Sequence, residues 1–264
     1  MQLIMPPIPR YKNTRTRRRK FLLGLLLVAG WCSGQTGYEY GRAWLIGFNA
    51  GYGLPAGDWQ ENYNDLMVVG PRVGVKTVQN WIITLEGGFG FGGLSPNARA
   101  VIAPALTQRN QVINERGTPA EIGVYQRYAT GLLSLQKIFP FWQANKNSGP
   151  IAGLGAGMVW HWLALQNTTN DIPHLNAPYS KGYDQMRQGL LLRQSLGYHY
   201  MSPNRRVNFS LSLEASQLMT SSVRKYHYAT GTRAPREELS LLYALKLSWY
   251  IPIYRGAQTQ EYYE

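Results

Sequence analysis

Between residues 81 and 91 large apolar and small or polar side chains alternate: Trp81, Ile83, Leu85, Phe89 and Phe91 fall on one side of an extended chain, and Thr84, Glu86, Gly88 and Gly90 on the other. A period of two is the mark of a strand with two unlike faces. Seven further segments read the same way, at about 43–55, 67–77, 122–138, 151–166, 189–201, 206–218 and 239–253. The last is the most regular, with Leu239, Leu241, Tyr243, Leu245, Leu247, Trp249 and Ile251 opposite Ser240, Ala244, Lys246 and Ser248. The segment 122–138 is the least regular, because Leu132 and Ile138 break onto its polar face. Past residue 40 almost no stretch carries the apolar stripe of a helix.

The intervals between these segments alternate in length. Long ones run over roughly 56–66, 92–121, 167–188 and 219–238, and short ones over 78–80, 139–149 and 202–205. Long loops on one rim, with short turns and both chain ends on the other, are the asymmetry of an eight-stranded antiparallel up-and-down transmembrane β-barrel, and the fold class expected is all-β.

Alternation does not say which face is inside. In a soluble, lipocalin-like periplasmic carrier the apolar face would fill the interior. Three features favour the opposite arrangement. The polar faces are mostly Gly, Ser, Asn and Thr, which suit a crowded bore better than a water-exposed surface. Aromatic residues gather near strand ends, with Trp44, Trp81, Trp142, Tyr198, Tyr200 and Trp249 towards the short-turn rim and Tyr52, Phe89, Phe91, Trp160 and Trp162 towards the other. Two such rings match the girdles of a barrel in lipid. Five tryptophans turned inward together would also overpack so narrow a bore.

The amino end agrees with export. Residues 1–20 hold seven basic residues and no acid, and an apolar run from Phe21 to Trp31 follows, then Cys32-Ser-Gly-Gln-Thr36. That order is a signal peptide, taken as 1–34. Its apolar core is too short to span a bilayer as a helix, which weighs against an anchor. Arg18-Arg19-Lys20 also permits a twin-arginine reading. Trp31 before Cys32 disfavours lipidation, so cleavage near Gly34 or Gln35 leaves a mature chain without cysteine. The formal charge of +13 shrinks to +6 once that segment is removed, and the rest is scattered, which argues against nucleic acid as a partner. The division expected is 1–34 signal peptide, 35–255 barrel and 256–264 periplasmic tail.

With Gly47-Phe-Asn-Ala-Gly-Tyr-Gly53 opening the first strand and Tyr243-Ala-Leu-Lys-Leu-Ser-Trp-Tyr-Ile-Pro-Ile-Tyr254 closing the last, the mature chain resembles the small outer-membrane β-barrels of the OmpA-like and PorT-like kind. The resemblance implies an outer-membrane location, and its PorT-like side an accessory part in secretion. The tail after the last strand departs from barrels that end on an aromatic residue.

The polar faces direct Arg72, Lys76, Glu86, His161, Arg193, His199, Glu214 and Lys246 into the bore. Charges persist there only if paired, so Glu86 and Glu214 are expected to take partners among the basic groups and plug the barrel. The lumen charge network expected is Arg72, Lys76, Glu86, Arg193, Glu214 and Lys246. A lipid A-modifying enzyme on the same scaffold would need a His, a Ser and an acid together at the long-loop rim, and only His227 and Ser222 lie there, without a motif. The histidines are scattered, so neither a metal nor a cofactor is expected. The last long loop carries Arg224, Lys225, Arg233 and Arg236 among Tyr226, His227 and Tyr228, a candidate contact for lipopolysaccharide phosphates or for an envelope or secretion-machinery protein.

Overall fold

The computed structural model describes residues 42–61, 63–141, 145–167, 171–202, 207–233 and 238–254. Residues 1–34, read from the sequence as a signal peptide, together with Trp142, Arg236 and the expected tail at 256–264, lie outside the described residues. Eight long strands make up the barrel: β1 (Ala43–Gly57), β2 (Leu66–Lys76), β3 (Trp81–Leu94), β4 (Gly123–Ile138), β5 (Gly149–Gln166), β6 (Arg187–Met201), β7 (Asn208–Ser222) and β8 (Glu238–Tyr254). Each pairs with its sequence neighbours in antiparallel fashion, and β1 also pairs with β8 from Ala43 opposite Tyr254 to Gly57 opposite Ser240, so the sheet closes on itself. Closure leaves no strand edge with unpaired backbone groups, the condition for a sheet in hydrocarbon.

The faces divide as the alternation requires. Trp44, Ile46, Phe48, Ile83, Leu85, Leu213, Leu245 and Trp249 point out and are exposed, whereas Arg72, Glu86, Glu214 and Ser248 point in and are buried. A globular protein in water does not clothe its circumference in leucine and tryptophan. Trp160 and Trp162 of the long-loop ring are only half-buried, with Trp162 packed edge-on against Phe89 at 6.3 Å. In β2 the pairs Val69–Phe89 and Arg72–Glu86 keep one register on either side of Gly70-Pro71, where proline has no N–H to donate. Gly70 is required there, since a Cβ would sit 2.0 Å from the Gly87 carbonyl oxygen.

The bore is not polar throughout, and here the structure corrects the expectation. At the short-turn end Leu45, Ile82, Ile138, Ile151, Met201 and Tyr250 form an apolar floor. At the other end inward-facing Tyr128, Leu132, Val159, Leu163, Leu191, Leu218 and Leu242 meet Trp59, Val101, Ile172 and Leu175, which descend from the long loops. Leu132 and Ile138, exceptions in the alternation, are therefore members of these two layers. Each layer is a place where burying a methyl group inside is worth more than turning it to lipid, because filling the bore restores packing contacts that a void would forfeit.

The long connections are structured. Residues 58–61 form a short 3-10 helix after β1, and 98–105 hold two helical turns after β3. Two-residue ribbons pair Val112–Ile113 with Pro119–Ala120 and Tyr226–His227 with Thr232–Arg233.

Candidate functional site

Between the two apolar layers lies the charge cluster. Glu86 on β3 is opposite Arg72 on β2, and the Arg72 Nε lies 3.5 Å from Glu86 Oε1, an ion pair without hydrogen-bond geometry. Lys246 Nζ donates to Glu86 Oε2 at 2.9 Å and also contacts Glu214. Arg193 spans both acids, with Nη1 3.6 Å from Glu86 Oε2 and 3.3 Å from Glu214 Oε2. Five charges from five strands thus form one network, carrying one positive charge in excess. Neutral side chains add further hydrogen bonds. Ser134 and Thr84 donate to Glu86 Oε1 at 2.8 and 3.2 Å, Arg193 Nε donates to Ser216 Oγ at 3.1 Å, and Arg72 donates to Ser248 Oγ at 3.2 Å and to Gln136 Oε1. The Arg72 guanidinium also lies 5.1 Å from the centre of the Tyr250 ring, which ties the network to the apolar floor.

Lys76 does not join the network, contrary to expectation. It follows Arg72 by four residues, about 13 Å along an extended strand, and its Nζ donates instead to Asn147 Oδ1 at 2.8 Å in the short connection after β4. The two bore histidines are likewise apart from the acids. His161 takes Trp59 Nε1–H on Nδ1 at 3.2 Å, with Tyr63 Oη 2.9 Å from the same atom and Thr220 Oγ1 3.4 Å from Nε2. His199 lies against Tyr250, ring centres 5.4 Å apart. A void of about 30 Å³ beside Asn49, Glu86 and Lys246 has room for a few waters at most.

Above the cap, the third and fourth long loops are one unit. Tyr228 N–H donates to the Gly182 carbonyl at 3.0 Å, its ring meets Tyr183 edge-on at 5.5 Å, and a Cβ at position 182 would lie 2.1 Å from that ring. Arg224 is not the free basic residue that the sequence suggested. It forms a bidentate pair with Asp184, Nε to Oδ1 at 3.0 Å and Nη2 to Oδ2 at 2.5 Å, and this bonding pushes its pKa up. The signal for this pair was absent from the sequence because 40 residues separate its members. Lys225 and Arg233 have no partner among the described residues, and with Lys181 they stand beside exposed Tyr179, Tyr226 and Tyr228. Ser222 Oγ is engaged by the Arg224 backbone, donating to its carbonyl and accepting its N–H, and makes no hydrogen bond to His227 among the described residues.

His227 sits at the seam of these loops, buried, and burial, followed by the charge of Arg187, pushes its pKa below the ordinary 6.5, with Asp184 opposing. A lowered folded-state pKa contributes stability that is complete above pH 6.5 and is lost progressively as pH falls below 6.5 and through the lowered folded-state value. Amides of residues 226–233 are therefore expected to exchange faster at pH 5 than at pH 7.5, after correction for intrinsic rates. Equal protection would rule out His227 as the cause.

No protein-family model matches the chain, and no curated protein matches it. Among solved structures, Ail of Yersinia pestis, crystallised with the heparin analogue sucrose octasulfate, aligns at 9% identity and a TM-score of 0.36 over 79% of this chain and 97% of its own. The N-terminal β-barrel domain of Pseudomonas aeruginosa OprF aligns at 9% identity and 0.35, over 78% and 96%. The outer membrane protein AlkL, solved in DMPC bilayers, aligns at 14% identity and 0.32, over 87% and 97%. This chain is similar to them as a β-barrel, and the closed eight-stranded ring rests on its own strand pairing.

Proposed function

We propose that the chain resides in a bacterial outer membrane as a non-conducting barrel and acts as a structural or interaction protein through its long-loop surface. The observation that carries this reading is the filling of the bore: among the described residues an apolar floor, a five-membered ion-pair network and an apolar cap sewn from loop side chains succeed one another along it. The lipid location is supported by the outward apolar band and by the closure of the sheet. For the loop surface, Lys181, Lys225 and Arg233 beside Tyr179, Tyr226 and Tyr228 offer charge and flat apolar rings to a phosphorylated saccharide such as lipid A. An enzymatic role gains no support from the histidines, whose described hydrogen-bond partners include no carboxylate.

Two measurements test this. In planar bilayers the folded protein is expected to give no discrete conductance steps, and regular openings would refute the filled bore. In zwitterionic nanodiscs the variant Lys181→Glu/Lys225→Glu/Arg233→Glu is expected to bind phosphorylated lipid A at least about tenfold more weakly than the parent at low salt, with little difference for dephosphorylated lipid A. Unchanged binding would remove the loop surface as the point of contact.

A further inference from the structure

Gln194 on β6 and Gln217 on β7 face outward, Gln194 paired with Ala215 and Gln217 with Leu192. Their chain neighbours Arg193 and Ser216 belong to the central network, so both amides lie halfway up the apolar band. Among the described residues the other charged or amide side chains on the outside of the strands, such as Arg127, Lys137 and Gln188, lie near strand ends. Among the described residues neither Gln194 nor Gln217 has a hydrogen-bond partner, and hydrocarbon has none to offer at that depth.

The surroundings match a protein contact better than a lipid one. Outward Ala152, Ala156 and Ala215 keep the surface low around the amides. Beside them runs a groove of about 560 Å³, lined by Leu135, Leu154, Ala156 and Leu192 with the two glutamines at its edge. Leu196 and Leu213, among the most exposed side chains of the barrel wall at 64 and 65%, stand as ridges next to it. Small residues that allow close approach, with amides that bond across, are what membrane-embedded interfaces use.

We propose that this face of β5, β6 and β7 docks a second copy of the chain within the membrane. The inference rests on the membrane reading above. An amide carries both donor and acceptor, so a two-fold axis along the membrane normal lets each glutamine meet an amide of the other copy, and the ridges and the groove lie side by side on the one face that the axis repeats. A lipid chain in the groove would leave the amides unsatisfied.

The test uses the full chain carrying Cys32→Ser, which removes its sole cysteine, reconstituted in bilayers. Gln194→Cys is expected to give a disulfide-linked dimer on mild oxidation, whereas Val73→Cys, on the strand diametrically across the ring, is not. Gln194→Leu/Gln217→Leu is expected to weaken association at least about tenfold while keeping the heat-modifiable mobility of a folded barrel. A monomeric parent, equal cross-linking at 73 and 194, or undiminished association of the double variant would each overturn the dimer while leaving the membrane barrel intact. Recovery of the protein in a soluble fraction, without heat-modifiable mobility, would overturn both.

Discussion

Replacing Glu86 with leucine is expected to destabilise the barrel by about 3–5 kcal/mol, the cost of breaking a buried ion pair from one side. Glu86 accepts from Lys246, Ser134 and Thr84 and faces two guanidinium groups, so its loss leaves Arg193 and Lys246 to share Glu214 and takes from Arg72 its ion-pair partner. Urea unfolding of the protein in lipid vesicles measures the effect. Adding Lys246→Met to Glu86→Leu is expected to recover part of the loss, because it returns the excess positive charge of the network from two to the one of the parent, and the double-mutant cycle isolates the coupling. A change below about 1 kcal/mol for Glu86→Leu would mean that the network fills space without holding the strands together.

Leu245→Arg is expected to separate the lipid-facing reading from every soluble one. Leu245 points outward on β8 next to Lys246, at the level of the central charges, and is half exposed. On a protein surrounded by water an arginine there would change stability by no more than about 0.5 kcal/mol, whereas at the midplane of a bilayer it should cost about 2–4 kcal/mol. Leu239→Arg, near the long-loop end of the same strand, should cost about 0–1 kcal/mol because its guanidinium reaches the interface. Equal effects at both positions would contradict a bilayer centred on the charge layer.

The barrel was legible because its evidence repeats every second residue. All eight strands fall within a few positions of where the alternation put them, and the inward partners of Glu86 and Glu214 follow from parity alone. Parity says nothing about depth, and so it groups Lys76 with Arg72 although Lys76 sits at the short-turn end of the bore and Arg72 midway along it. It also says nothing about loops. That Trp59 and Ile172 fill the mouth, or that Asp184 takes Arg224, depends on chain paths between elements that carry no period. The apolar floor and cap were missed for a related reason. Leu45, Val159, Leu191 and Leu242 stand on the polar side of otherwise clean strands, where a single greasy residue looks like noise until seven other strands supply its neighbours.

The descent of Trp59, Val101, Ile172 and Leu175 into the barrel mouth divides each of three long loops into anchored points and spans between them. The anchors answer to the packing of a closed interior, and the spans answer to whatever meets that rim of the barrel. Such a surface is free to change its sequence in short intervals, as around Gly117 at the tip of its ribbon, without loosening the frame from which those intervals hang. Diversity presented to the surroundings and constancy of the scaffold are thereby assigned to different residues of the same loop.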